Sequence, residues 1–404
     1  MTEQLGHGER LRLLVLTSTY PRWAGDPEPG FVHELSRRLA ETFDVRVIGP
    51  HAAGALVREN LDGVDVHRYR YAPVALETLV NHGGILTNLK RSLWKWLLVP
   101  TFLAGQYLAL RKARREFRPQ VIHAHWLLPQ GLIAALGRQD VPLVATSHGA
   151  DLFGLRGKWF ARLRRWVVPR ISVVTLVSEA MRQRLLAEQP QANAVVMSMG
   201  VDVRERFVPG TVERSPAELL FVGRLVEKKG LHHLLQALPR VIAECPDARL
   251  TIAGFGPERE RLERIVSELD LKAHVDFIGA MSQASLPVLY QRATIFVAPF
   301  VEADDGDQEG LGLVVAEAMA CACPVIVGNV PATQGLVDEC SGIRVPASDH
   351  TQLARTIVTL LKDEARRARM GRHARMHVEQ HYSWDAVAES YSRLLADVAR
   401  VGRT

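Results

Sequence analysis

The stretch Glu218-Leu-Leu-Phe-Val222-Gly223-Arg224-Leu-Val-Glu-Lys-Lys229-Gly230-Leu231 carries the fold in miniature. Leu219 to Val222 is a continuous apolar run rather than an alternating one, the pattern of a strand buried on both faces. Gly223 supplies a turn. Gly230 opens an apolar-periodic segment, Leu231–Glu244, that predicts a helix. The same unit recurs in both directions. Upstream, Leu11–Thr17, Val45–Ile48, Val64–Tyr69, Val121–Ala124, Leu143–Thr146, Val173–Val177 and Ala194–Met197 read as strands, with helical patterns such as Phe31–Thr42, Gly131–Gly137 and Glu179–Glu188 between them. Downstream, Arg249–Ala253, Val275–Ile278, Ile295–Ala298, Pro324–Val327 and Ile343–Val345 read as strands, and Glu258–Leu269, Ala284–Arg292 and Leu311–Ala322 as helices. Leu353–Leu361 and Glu364–Gln380 add helices, and Tyr382-Ser-Trp384 begins a last one.

Strand alternating with helix predicts right-handed crossovers and doubly wound parallel sheets. The chain has 404 residues, more than one ordinary core supports, and the pattern restarts after a proline-bearing stretch, Gly200–Pro216. The expected architecture is therefore α/β, with a Rossmann-like domain over 1–205, a second over 206–381, and a C-terminal helix over 382–404 that returns to the first. In such open sheets ligands bind beyond the carboxyl ends of the strands.

Composition narrows the function. A hydrophobic content of 47% with 23% charged residues is that of a globular protein. Cys245, Cys321, Cys323 and Cys340 have no disulfide or metal spacing, which fits a reducing cytoplasm. No signal peptide and no membrane-spanning run is expected. The net charge of +6 admits anionic partners, but no nucleic-acid-binding motif occurs and no nucleic acid is expected.

The chemistry-bearing residues stand at predicted strand ends. Glu309-Gly310-Leu311-Gly312-Leu-Val-Val-Ala-Glu317 places two carboxylates seven residues apart around two glycines. Glycines let a backbone approach a ligand, and helix N-termini attract phosphate. Two carboxylates nearby suit a polyhydroxy group. The plainer alternative is a solvated Glu309 and a Glu317 paired with a base. Arg224 and Lys229 would neutralise a diphosphate, or else belong to a basic surface loop, as Lys228 does. Ala253-Gly254-Phe255-Gly256-Pro257-Glu258 is a glycine turn with proline at the first helical position. In the first half, Thr17-Ser-Thr-Tyr20-Pro21 leads into a loop with Asp26 and Gly30; it is no dinucleotide fingerprint. His123-Ala-His125-Trp126 puts both histidines on one face of a strand, without further ligands spaced for zinc. Thr146-Ser-His148-Gly149-Ala-Asp151 offers either a substrate-facing pair or a hydrogen-bonded pair that holds the loop.

Taken in order along nearly the whole chain, these motifs resemble the retaining glycosyltransferases of family 4, with their E-x7-E, G-R-x4-K-G, His-x-His and T-x-H-G-x-D signatures. The resemblance implies a GT-B fold, two Rossmann-like domains facing a cleft. It implies transfer of a hexose from a UDP- or GDP-linked donor, with retention, to a lipid-linked or polysaccharide acceptor. It implies that Arg224 and Lys229 stabilise the leaving diphosphate, that Glu309 holds donor-sugar hydroxyls and Glu317 the ribose, and that His125 positions the sugar. Gly30, Gly254, Gly256, Gly310, Leu311 and Gly312 would line the donor, and Tyr20, Asp26, His148 and Asp151 the acceptor side; His123 would be structural. No cofactor and no essential metal is expected, although Asp304-Asp305-Gly306-Asp307 contains a D-x-D sequence. Rival readings are a nucleotide-sugar epimerase of the same fold and an inactive scaffold at a membrane surface.

Two segments bear on the last point. Residues 86–119 hold Trp94, Trp96 and many leucines between Lys90, Arg91, Lys95 and a basic run from Arg111 to Arg118. Residues 156–170 interleave Lys158, Arg162, Arg164 and Arg165 with Trp159 and Trp166. Tryptophan among basic residues suits an anionic bilayer interface. A buried helix with solvated ends is the competing reading. The first would make the protein peripheral on the cytoplasmic membrane face.

Overall fold

A computed structural model describes residues 10–401 except 27–29, 82–83, 138–139 and 212. Pro27, Glu28 and Pro29 of the first-half loop therefore lie outside the described residues. The chain forms two compact units. Unit 1 takes the residues up to Leu176, Arg182–Met197 and Ala388 onward; unit 2 takes Val177–Met181 and Ser198–Val387.

Unit 1 is built on strands β1 (Leu11–Leu16), β2 (Phe43–Pro50), β3 (Arg58–Leu61), β4 (Val64–Tyr69), β5 (Val121–His125), β6 (Leu143–Ser147), β7 (Val173–Leu176) and β8 (Ala194–Val196). They lie in the order β3-β4-β2-β1-β5-β6-β7-β8. All pairs are parallel except β3 with β4. The antiparallel β3 is an addition to the sequence reading: in Arg58-Glu-Asn-Leu only Leu61 is buried, so it carries no apolar run. Central β5 and β6 are buried at every position, as continuous apolar strands covered on both faces must be. The helices are α1 (Phe31–Leu39), α2 (Gly84–Arg91), α3 (Leu98–Phe117), α4 (Leu132–Ala135), α5 (Lys158–Val167) and α6 (Glu179–Glu188), which begins in unit 2. The expected helix at Gly131–Gly137 shrinks to the single turn α4. Leu128 breaks its entry with an extended backbone (φ −131°, ψ 127°).

Unit 2 has six strands, all parallel: β9 (Glu218–Val222), β10 (Arg249–Ala253), β11 (Val275–Gly279), β12 (Ile295–Ala298), β13 (Val325–Gly328) and β14 (Ile343–Val345). Their order is β11-β10-β9-β12-β13-β14. The helices are α7 (Leu231–Glu244), α8 (Arg259–Glu268), α9 (Leu286–Arg292), α10 (Leu313–Ala320), α11 (His350–Lys362), α12 (Glu364–His381) and α13 (Trp384–Val401), whose later turns belong to unit 1. The two-residue period of β9 divides the core. Leu219 and Phe221 pack with α7 and α11, whereas Leu220 and Val222 pack with α9 and α10.

Each sheet reverses its strand order once. In unit 1 the reversal falls between β1 and β5, in unit 2 between β9 and β12. At such a switch point the two following helices leave on opposite faces, and a crevice opens at the carboxyl edge. The residues singled out above follow β1, β5, β9 and β12 at these switch points, and β6 and β10 beside them.

Unit 2 also shows how helix ends are closed without capping side chains of their own. Arg214 donates from one nitrogen to the carbonyls of Tyr290, Gln291 and Ala293, and from another to Cys321. Those carbonyls end α9 and α10, where unpaired acceptors and the helix dipole both favour a cation. Arg375 does the same for Ala320, and also binds Phe207 and Val203 carbonyls. Replacing Arg214 by methionine keeps the stem but strips the charge from four carbonyls. We expect a loss of about 2–4 kcal/mol, read by urea denaturation. The same change at exposed Arg393 should stay within about 0.5 kcal/mol.

Candidate active site

In unit 2 the loop after β9 and the loop after β12 meet through one ion pair. Lys229 Nζ lies 2.5 Å from Glu309 Oε2, with both side chains largely buried. The lysine stem runs past Gly223, and its ammonium sits 4.5 Å from the centre of the Phe300 ring. Burial alone would raise the Glu309 carboxyl. The Lys229 and Lys228 ammonium groups, the Lys229 hydrogen bond and the Gly310 N–H overcome it and hold the group at about 2. Glu309 is therefore ionised throughout the physiological range.

Gly312 precedes α10 with φ +80°, and a Cβ there would press on Phe300 at 2.9 Å. The glycine thus brings the N-terminus of α10 up against the Phe300 ring beneath Lys229. Gly254 and Gly256 have a different cause. A Cβ at Gly254 would strike the Gly223 carbonyl, and one at Gly256 the backbone of Leu225. These two glycines bring the loops after β9 and β10 together. Pro257 stands before the helix cap at Glu258 rather than at the first helical position, because α8 starts at Arg259. Arg224 lies in the same loop, half-buried, next to Gly223. Gly310 and Leu311 are buried.

Glu317, one helix turn and more into α10, is buried and accepts a hydrogen bond from Tyr290 Oη at 2.9 Å. Here burial wins, raising the carboxyl to about 7 against the opposing pull of Tyr290, Arg206, Lys229 and Gln283. The alternative of a Glu317 bound to a neighbouring base is not what forms; its direct partner is a phenol.

The surface-loop reading of Lys228 is corrected. Its ammonium binds Asp307 at 3.1 Å and the Gln308 carbonyl at 3.0 Å. Asp305 accepts from the Asp307 N–H, and Glu227 from the Asp304 N–H. The Asp304–Asp307 run is thus fastened to the loop after β9. Among the described residues no group of three or more His, Cys, Asp or Glu is arranged to hold a metal ion.

In unit 1 the carboxyl edge carries uncharged imidazoles. His125 Nδ1 and His148 Nε2 are 3.0 Å apart, with their rings stacked at 10°. His148 also touches Phe31 and Trp126, each at 4.9 Å between ring centres. His123 Nε2 bonds Thr146 Oγ1 at 2.7 Å and lies beside Tyr391. Burial lowers His123 and His148 to about 3 and His125 well below its usual value, so all three are neutral at pH 7. Trp126 has φ +78°, a conformation that a bulky residue holds only under constraint. Its N–H is fixed by the Thr146 carbonyl and its carbonyl by the Gly131 N–H.

The remaining first-half residues divide. Asp151 is fully buried and does not pair with His148, which corrects that reading. Its oxygens accept from the Leu127 N–H at 2.6 Å and Ser147 Oγ at 2.7 Å, and burial raises its carboxyl. Asp26 is tied to the Arg22 guanidinium and backbone N–H. Tyr20 Oη bonds His33 Nδ1 at 2.8 Å in the core, and burial pushes its phenol far up. These three order loops rather than presenting free polar groups. Gly30 precedes α1 with φ −90°, and a Cβ there would meet nothing within 4 Å. Nothing within the fold demands glycine at that position.

Two family models cover most of the chain: "Glycosyltransferase Family 4" over residues 31–205 and "Glycosyl transferases group 1" over residues 203–377. A GDP-mannose-dependent monoacylated alpha-(1-6)-phosphatidylinositol monomannoside mannosyltransferase of Corynebacterium glutamicum is 31% identical, over 67% of this chain and 75% of that protein. The chain belongs to glycosyltransferase family 4. A glycogen synthase of Mycobacterium tuberculosis is 29% identical over 72% of each chain. Among solved structures, sucrose-phosphate synthase from Thermosynechococcus elongatus superposes with a TM-score of 0.79 at 21% identity, over 97% of this chain and all of that one. The fold is GT-B, and the chain is a glycosyltransferase that uses a nucleotide-sugar donor.

Phe300 and Tyr290 escaped the sequence reading. Phe300 stands two residues after β12 and could have been found by the strand-end rule. Tyr290 lies on α9, 27 positions before Glu317, and no local pattern connects them.

The two glutamates of this family 4 chain carry opposite pH signatures. Glu309, held below its unfolded value, contributes stability above about pH 4.5 that is lost as pH falls toward 2. Glu317, held above it, subtracts stability progressively as pH rises from about 4.5 to 7. Carbon-detected NMR titration of the glutamate carboxyls should show one midpoint near 7. Tyr290→Phe should raise that midpoint, since it removes a donor to the carboxylate, and leave the Glu309 signal in place.

Proposed function

We propose that this transferase moves a hexose from a nucleotide diphosphate donor to a lipid-linked acceptor, with retention of the α configuration. The observation that carries the reading is the Lys229–Glu309 pair at the switch point of unit 2, against Phe300 and the start of α10. It offers a cation and helix N–H groups for phosphate and a permanently ionised carboxylate for hydroxyls. GDP-mannose is the first donor to try, because several relatives are named for it. The lipid acceptor has the same support, since those relatives are named for phosphatidylinositol mannosides.

In the proposed step the acceptor hydroxyl attacks the anomeric carbon on the face the diphosphate leaves. The bond from that carbon to the phosphate oxygen breaks as the new glycosidic bond forms. The acceptor proton passes to the departing phosphate oxygen. Lys229, Arg224 and the N-terminus of α10 stabilise the leaving charge. Glu309 binds donor-sugar hydroxyls and Glu317 the ribose. The step uses no metal: Asp307, the residue best placed in a D-x-D sequence, is engaged by Lys228. We place the reaction at the cytoplasmic face of the membrane, where a lipid-linked acceptor would lie. Among the described residues no helix is long and apolar enough to cross a membrane.

Nucleotide release from GDP-mannose and UDP-hexoses, with and without a phosphoinositide acceptor, tests the reading. Lys229→Ala and Glu309→Ala should each lower kcat by about 10²–10³-fold. Release that no donor supports, or that both variants retain, would sink it. Tyr290→Phe should act on donor KM with little change in kcat, and donor affinity should rise with pH through about 7 as Glu317 ionises.

A further inference from the structure

We propose that the carboxyl edge of unit 1 docks on an anionic bilayer, and that Leu93–Leu97 is the part that enters the interface. Only the lipid nature of the acceptor rests on the transferase reading; the docking surface stands on its own geometry.

The first observation is charge. Residues 78–115 and 152–178 contain thirteen of the fifty lysines and arginines and none of the forty-four carboxylates. The rest of the chain has an excess of acid. The second is exposure. Between α2 and α3 the chain makes a tight turn, Leu93-Trp-Lys-Trp-Leu97. Leu93 is 80% exposed, Leu97 78%, Trp96 53% and Trp94 45%. Two leucines standing in water and two half-exposed tryptophans, beside exposed Lys90 and Arg91, make an apolar patch that the core does not cover. Lys95 does have one: its ammonium fastens the turn to the Thr78 carbonyl and Asn88. The wedge is therefore held, not frayed.

The third observation is position. Tyr69, the last residue of β4, packs on Phe102 near the start of α3. Arg118 and Gln120, after its end, bind Arg12 at the start of β1. So α3 runs back along the sheet, and its N-terminal wedge stands at the carboxyl edge with His125 and His148. Twenty residues of helix span about 30 Å. The basic run Arg111–Arg115 is therefore at the opposite edge and does not share the surface. The second basic segment does. Leu86 of α2 lies against Gly154, which leads into α5. Trp159 at the start of α5 is 75% exposed, and Arg156, Lys158 and Arg162 around it are exposed.

Tryptophan and leucine at the headgroup level with lysine and arginine beside them match an anionic interface. A glycan on a lipid anchor would then reach the carboxyl edge while its acyl chains stay in the bilayer.

The test is co-sedimentation of the full chain with vesicles of phosphatidylcholine alone, or mixed two to one with phosphatidylglycerol. The parent should bind the mixed vesicles, weakly or not at all the neutral ones, and lose binding at high salt. The double variant Leu93→Asp/Leu97→Asp, at exposed sites that leave the core intact, should bind about tenfold less. Its nucleotide release with a water-soluble acceptor glycoside should be unchanged. A second variant, Arg111→Ser/Lys112→Ser/Arg115→Ser, should bind as the parent does. The proposal fails if the aspartate variant binds like the parent, or if the serine variant loses as much. It also fails if the parent ignores vesicles and light scattering shows a dimer that the aspartate variant dissolves. Vesicle binding of this kind without turnover of any donor would overturn the transferase reading and leave the docking surface standing.

Discussion

One ammonium–carboxylate contact organises the carboxyl edge of unit 2. Lys229 and Glu309 are eighty residues apart in sequence, and they meet only because β9 and β12 are neighbours at the point where the sheet reverses. The contact fixes two loops at once. Lys228 repeats it one residue earlier, holding Asp307, so the whole segment from Asp304 to Glu309 is fastened to the loop after β9. Phe300 then gives the lysine a floor, and Gly312 lets α10 begin against that floor. In the proposed reaction a phosphate at α10 would meet a cation already ordered by a carboxylate. Less reorganisation remains for the reaction itself, which is where preorganised charge acts most strongly.

The environment, not the residue type, separates the two glutamates of one motif. Both are acidic side chains within nine residues, and burial pushes both upward. Glu309 has two lysines and an N–H group to reverse that push. Glu317 has chiefly a phenol hydrogen bond and more distant cations, and stays near 7. Unit 1 takes a third course. Three buried histidines crowd one edge without a carboxylate among their close partners, and burial keeps them uncharged. The charged groups thus gather where a diphosphate is expected and neutral donors and acceptors where hydroxyls are.

Most of this architecture was legible because continuous apolar strands and glycine-bearing loops are local signals. The parallel sheets, their reversal and the strand-end location of Lys229, Glu309 and His125 all follow from them. What was not legible is non-local or lacks an apolar pattern. The edge strand β3 has four residues and no hydrophobic run. Tyr290 finds Glu317 through the packing of α9 on α10. A hydrogen-bonded His148–Asp151 pair was one of two readings of that loop, but the turn after β5 brings the Leu127 N–H to Asp151 instead. Gly254 and Gly256 looked like ligand-facing glycines; the close approach of two loops of the protein itself accounts for them.

The basic, tryptophan-rich segments show why residue counts need a direction. Read along the sequence, 86–119 is one cationic stretch around an apolar middle. In three dimensions α3 separates its two ends by the depth of the sheet. Lys90 and Arg91 join the Trp94–Trp96 turn, and Arg111–Arg115 face away on another edge. A charge that is to attract a surface must lie within about a Debye length of it, roughly 8 Å at physiological salt. The far cluster, about three times that distance away along the helix, adds little to docking. The near cluster, reinforced by Lys158 and Arg162 from α5, shares its edge with the imidazole pair. That coincidence of apolar tip, positive charge and strand ends is set by the direction of two crossovers, β4 to β5 and β6 to β7: the chain leaves each parallel strand at its carboxyl end, so the segment before each returning helix stands at that edge.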